Sequence, residues 1–142
     1  MEHLYRINNI ESMEKLRHLD LSHCQITDVL LHDLYLLAAR GQMHLKSLNL
    51  SNTETGDVLV SYLPAFTSLT SLNLANTLVT NDLVPVLANL PRLKQLNLSR
   101  TNVNWIAPFI ARFSDGETLQ LLMDDCRIDP RILNRLHNYK NN

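Results

Sequence analysis

The segment Leu16-Arg-His-Leu19-Asp-Leu21-Ser-His-Cys24-Gln-Ile26 returns along the chain, and that recurrence limits the possible folds more than any other feature. Its copies are Leu45-Lys-Ser-Leu48-Asn-Leu50-Ser-Asn-Thr53-Glu-Thr55, Leu69-Thr-Ser-Leu72-Asn-Leu74-Ala-Asn-Thr77-Leu-Val79 and Leu93-Lys-Gln-Leu96-Asn-Leu98-Ser-Arg-Thr101-Asn-Val103. A weaker fifth copy runs Thr118-Leu-Gln-Leu121-Leu-Met123-Asp-Asp-Cys126-Arg-Ile128. The copies begin 29, 24, 24 and 25 residues apart and explain why leucine fills 29 of 142 positions. Leu19 and Leu21, two residues apart, point to one face of a strand, and His18 and Asp20 to the other. Strands this short cannot stand alone. Stacked in parallel, they bury their leucines in one continuous core.

The second half of each repeat reads as helical. Thr27, Gly56, Thr80, Asn104 and Asp129 occupy one column and are all expected helix N-caps, with Pro130 as a first-turn proline after Asp129. Behind them Leu30/Leu34/Leu37, Leu59/Leu63/Phe66 and Leu83/Leu87/Leu90 recur at three- and four-residue spacing, forming a stripe that faces the strands. The 24-residue repeats leave room for short helices only. The longer first repeat fits a helix from Asp28 to about Arg40, stopped by Gly41. Pro85 and Pro108 fall near helix starts, where proline is tolerated. At the ends, Ile7, Ile10, Met13 and Leu16 match Val84, Leu87, Leu90 and Leu93, so residues 1–15 read as an N-terminal helical half-repeat. Residues 129–142 read as a capping helix with Ile132, Leu136 and Tyr139 inward and Arg131, Arg135 and Lys140 outward.

These segments follow the pattern L-x-x-L-x-L-x-x-N/C-x-L, and over nearly its whole length the chain resembles the leucine-rich-repeat family. The resemblance implies an α/β fold: a right-handed solenoid in a horseshoe arc, with a parallel concave sheet of five short strands and short convex helices. The helix lengths are most similar to the ribonuclease-inhibitor-like or cysteine-containing subclasses. The expected organisation is one domain over 1–142, with strand-bearing repeats over 16–128. Cys24, Thr53, Thr77, Thr101 and Cys126 share the column where this family has Asn or Cys turned inward to bond the turn backbone, and Thr keeps a small donor there.

Thirteen Lys and Arg against fourteen Asp and Glu give a net charge of −1. That balance argues against a general nucleic-acid binder and a polybasic membrane-surface protein. The most apolar stretch, Val29 to Ala39, is interrupted by His32 and Asp33, so it does not read as a membrane span. The N-terminus lacks the pattern of a signal peptide. Cys24 and Cys126 lie four strand steps apart, about 19 Å at sheet spacing, too far for a disulfide. A cytoplasmic, intracellular protein with free structural cysteines is the expectation.

On such an arc the residues between the leucines face outward on the concave side. One row is Asp20, Asn49, Asn73, Asn97 and Leu122; beside it runs His18, Ser47, Ser71, Gln95 and Gln120; a third, nearer the strand ends, is Ser22, Ser51, Ala75, Ser99 and Asp124. Asn amides about 4.8 Å apart can bond to one another or to a ligand. Similar leucine-rich-repeat proteins commonly place a protein-binding surface here. The uncharged middle argues against a highly acidic or basic partner. Leu122 breaks the Asn row, either packed beneath the C-terminal helix or exposed as a contact, and contact is the favoured reading. Trp105 breaks the column of Asp28, Asp57, Asn81 and Pro130, as an exposed hot spot or folded over Phe109.

The nearest approach to a metal site is His18, Asp20 and His23, for which an exposed His/Asp pair is the better reading. Asp124 and Asp125 lie four strands away and read as solvated. No triad converges, and there is no phosphate loop. The triplets Asn49-Leu-Ser51 and Asn97-Leu-Ser99 follow from the repeat and not from glycosylation. The expected function is a non-catalytic scaffold or adaptor binding a protein partner through the concave face, without a cofactor or catalytic residue. The alternatives are a structural subunit docking through sheet edges or convex helices, and a small metal-dependent enzyme. The two open sheet edges leave a monomer or a weak edge-mediated homodimer.

Overall fold

Leu19, Leu48, Leu72, Leu96 and Leu121 stand in one register across five parallel strands in the computed structural model. The structure describes residues 10–113 and 118–141, with side chains over 13–113 and 118–135. The strands are β1 (His18–Asp20), β2 (Ser47–Asn49), β3 (Ser71–Asn73), β4 (Gln95–Asn97) and β5 (Gln120–Leu122), in sheet order β1-β2-β3-β4-β5. The ladder continues past each strand: the amides of Leu21, Leu50, Leu74 and Leu98 donate to Asn49, Asn73, Asn97 and Leu122 carbonyls at 2.8–2.9 Å. One apolar cluster runs from Leu21 to Met123, and Leu50, Leu74 and Leu98 are fully enclosed. The sheet and this core sit where the leucine pattern places them.

The outer layer is helical. It comprises α1 (Ile10–Lys15), α2 (Asp28–Ala39), α3 (Leu59–Tyr62), α4 (Val84–Ala88), α5 (Ala107–Arg112) and α6 (Pro130–Asn141). A 3-10 turn over Leu63–Ala65 follows α3, and another over Asn81–Leu83 precedes α4. The five extra residues of the first repeat are spent on α2, which has 12 residues where α3 has 4 and α4 has 5. Thr27 caps α2 by accepting the Leu30 amide at 3.2 Å, and Gly41 at φ 71° ends it. The stripes Leu30/Leu34/Leu37, Leu59/Leu63/Phe66 and Leu83/Leu87/Leu90 are buried.

Several details depart from the sequence reading. Thr80 and Asp129 do accept amide hydrogens at helix starts, from Asp82 and Arg131. Gly56 and Asn104 do not cap. Gly56 has no side-chain acceptor; its carbonyl takes the Leu59 amide in an opening turn at 3.3 Å. Asn104 is committed sideways: its Oδ1 accepts from Asn81 Nδ2 at 2.7 Å and its amide donates to Asn81 Oδ1 at 2.9 Å. Helix α5 therefore starts only at Ala107.

In the fifth repeat Thr118 is exposed, and Leu119, 1% exposed, fills the core beside Leu121 and Met123. Two-residue alternation prevails there over the repeat pattern. In α6 Leu133, not Ile132, packs on the core; Ile132 is 41% exposed. With Pro130 as its first residue, α6 turns Leu133 toward the last repeat one turn later. Arg131 and Arg135 face outward, and Met13 and Leu16 pack against the first repeat. The expected positions of the Ile7, Ile10, Leu136, Tyr139 and Lys140 side chains lie outside the described residues.

Candidate protein-binding face

The concave rows assemble as registered neighbours: His18 beside Ser47, Ser71, Gln95 and Gln120, and Asp20 beside Asn49, Asn73, Asn97 and Leu122. The amides, however, form no ladder across the strands. Each carbonyl oxygen in the second row turns along its own chain. Asn49 Oδ1 accepts the Ser51 amide at 2.9 Å and the Ser51 hydroxyl at 2.7 Å. Asn73 Oδ1 takes the Ala75 amide and Asn97 Oδ1 the Ser99 amide, each at 3.0 Å. Asp20 Oδ1 repeats the arrangement on Ser22, at 2.9 Å to the amide and 2.6 Å to the hydroxyl.

This local turn decides what the face offers. Only an oxygen can accept a backbone N–H, so the Asn orientation is fixed chemically and each Nδ2 group is left as the outward donor. Asn49, Asn73 and Asn97 thus present amide donors at successive strand steps, about 4.8 Å apart. In the neighbouring row the first and last pairs satisfy each other: His18 Nδ1 and Ser47 Oγ lie 2.7 Å apart, and Gln95 Nε2 donates to Gln120 Oε1 at 3.2 Å. At the far end Leu122 is 54% exposed beside Asn97. Asp20 is held below its usual carboxylate range by the Ser22 hydroxyl and then the Ser22 amide.

Other columns are structural. Thr53, Thr77 and Thr101 hydroxyls are buried and donate to the Leu50, Leu74 and Leu98 carbonyls at 2.6–2.7 Å. Cys126 Sγ reaches the Leu98 carbonyl at 3.1 Å, and Cys24 Sγ the Ser22 carbonyl at 3.5 Å; both cysteines are free. Trp105 is 45% exposed on the rim between β4 and α5, while Phe109 is fully buried. Among the described residues no three His, Cys, Asp or Glu side chains gather as metal ligands. His18 and Asp20 instead turn to Ser47 and Ser22.

A family model described as Leucine Rich repeat matches residues 12–29. No curated protein sequence matches the chain. The tropomodulin C-terminal domain of Caenorhabditis elegans is similar in structure, with a TM-score of 0.72 and 13% identity over 99% of this chain and 90% of that one. An internalin (inlF) from Listeria monocytogenes has a TM-score of 0.61 and 24% identity over 89% of this chain. The likeness spans 34% of that internalin's chain. Together with the register above, these likenesses show the fold: a leucine-rich-repeat arc, with residues 12–29 matching the repeat model itself. Among the described residues no helix is long and apolar enough to cross a membrane.

Proposed function

We propose that the chain is a non-catalytic interaction module, one unit over 1–142, that binds a protein partner on its concave face. Leucine-rich-repeat domains generally bind proteins, and the feature here that supports the same role is the row of outward Nδ2 donors on Asn49, Asn73 and Asn97. A partner meeting this row must supply acceptors, either backbone carbonyls or carboxylates. His18, Asp20, Ser47, Ser71, Gln95 and Gln120 flank the contact, and Leu122 gives it an apolar end. Trp105, on the rim, is a second exposed anchor of the type enriched at interfaces.

Affinity capture from native lysate with mass spectrometry tests the reading when repeated with Asn73→Arg plus Asn97→Arg. The expected result is that the captured protein is lost from this variant. It should be retained by Val60→Arg, a substitution at an exposed position of convex α3. Capture indifferent to the two concave arginines would remove the proposal.

A further inference from the structure

Because all five strands run the same way, every helix-to-strand connection lies on one rim of the arc and every strand-to-helix connection on the other. The charges divide between these rims, which the net charge of −1 conceals. The strand-start rim carries Lys15 at the end of α1, Arg17, Lys46 and Lys94 directly before β1, β2 and β4, and Arg92 two residues ahead of Lys94. Glu14 is the carboxylate on that rim among the described residues. The strand-end rim carries Glu54, Asp57, Asp82, Asp124 and Asp125; of its cations, Arg100 and Arg131 are paired with Asp125 and Asp129 at 3.2 and 3.0 Å, and Arg127 is exposed among these carboxylates. Lys46, Arg92 and Lys94, by contrast, are exposed and make no side-chain hydrogen bond or ion pair among the described residues.

The cations are also ordered. The Lys46 amide donates to the Arg17 carbonyl at 2.7 Å, Thr70 to Lys46 at 2.9 Å and Lys94 to Thr70 at 2.8 Å, so these residues are consecutive steps across the sheet. Arg17 and Lys46 are one step apart, about 4.8 Å, and Lys94 lies two steps further. Each step leads directly into the concave rows.

We propose that the strand-start rim receives an acidic segment of the protein partner, its carboxylates meeting Arg17, Lys46, Arg92 and Lys94 as it enters the concave face. The proposal rests on the concave-face reading and adds the partner's chemistry to it. The uncharged middle of the face remains as described; the charge sits at its border. A nucleic acid fits less well, because among the described residues no exposed Phe, Tyr or Trp lies on this rim for base stacking and the opposite rim repels a long polyanion. A lipid surface fits less well, because the exposed Val29, Leu78 and Trp105 belong to the other rim.

A fluorescently labelled oligoglutamate peptide tests this on the full chain. Anisotropy at low salt should report binding that weakens about tenfold or more on raising salt to about 150 mM. Lys46→Glu with Lys94→Glu should weaken it about tenfold at low salt, Lys46→Ala with Lys94→Ala by less, and Asp124→Asn on the opposite rim not at all. Circular dichroism identifies the folded variants, and the alanine pair decides if the glutamate pair does not fold. No binding at low salt, unchanged affinity in a folded rim variant, or tighter binding of a single-stranded oligonucleotide or phosphatidylserine vesicles overturns the proposal. The two readings fail separately: a captured partner lost with Asn73→Arg plus Asn97→Arg but kept by the rim variants removes the acidic segment alone.

Discussion

Arg100 lies at φ 58°, and His23, Asn52, Asn76 and Asp125 hold the same left-handed conformation at the same place in their repeats. The turn after each strand requires it, and none of the five residues is glycine. Asn and Asp tolerate this region through short polar side chains, whereas Arg carries the full Cβ cost of about 1 kcal/mol. The Arg100–Asp125 pair returns little, since both side chains are 69% exposed. Arg100→Gly should therefore raise stability in urea by about 0.5 kcal/mol after the unfolded-state entropy of glycine is subtracted, and Arg100→Ala should not.

Asp20 gives a second test at this scale. Its carboxyl is lowered from 3.8 by the Ser22 hydroxyl and amide. A lowered folded value contributes stability that is complete above the unfolded pKa and is lost as pH falls through the folded one. Asp129, lowered by the Arg131 guanidinium and amide, acts in the same acid window. Asp20→Asn keeps the accepting oxygen but cannot titrate, like Asn49 in the next strand. Its melting temperature should fall less than the wild type's between about pH 5 and about pH 2, with the remaining fall including Asp129.

Among the elements, α5 is tied to the preceding repeat by one side chain. Arg112 donates to the Ala88 and Leu90 carbonyls at 2.6 Å each and to Pro91 at 3.0 Å, and its guanidinium lies 4.8 Å from the Phe113 ring centre. Ala88 ends α4, and Leu90 and Pro91 lie in the turn that follows it, where the Leu90 carbonyl also takes the Leu93 amide at 3.4 Å. Arg112→Ala should cost about 2–3 kcal/mol by chemical denaturation, and Arg112→Lys a smaller part, because an ammonium cannot span three carbonyls.

Little of this was legible in the chain. The register of Leu48, Leu72 and Leu96 was, because a two-residue alternation repeated at constant spacing admits one stacking. The Arg112 staple was not, since it joins residues more than twenty apart with no pattern around it. Asn104 failed as a predicted cap for the same reason: Asn81 in the preceding repeat competes for its side chain. The Asn rows were placed correctly from spacing, but the orientation of each amide depends on backbone hydrogens two residues on, which spacing does not reveal.

For the whole molecule, each repeat contacts its sequence neighbours, so stability sums over adjacent interfaces. Repeats with neighbours on both sides should open last. Hydrogen exchange should show the amides of Leu74 and Leu98 protected longest, those of α6 exchanging earlier, and a central Leu72→Ala accelerating both neighbours of its strand. Uniform protection along the arc would contradict this. The charge division belongs to this scale as well: it emerges only once parallel stacking has sorted the connections onto two rims, which is why the net charge gave no hint of it.

The constant 24-residue interval between Leu45, Leu69 and Leu93 makes length a separable quantity. Removing residues 71–94 would bring Gln95 into the place Ser71 occupies beside Ser47, with Leu96 against Leu48 and Asn97 against Asn49. A chain built this way can be shortened or extended by whole modules without redesigning the joints. Its descendants can thus vary their reach as beads are added to a string, while each surviving bead keeps its own chemistry.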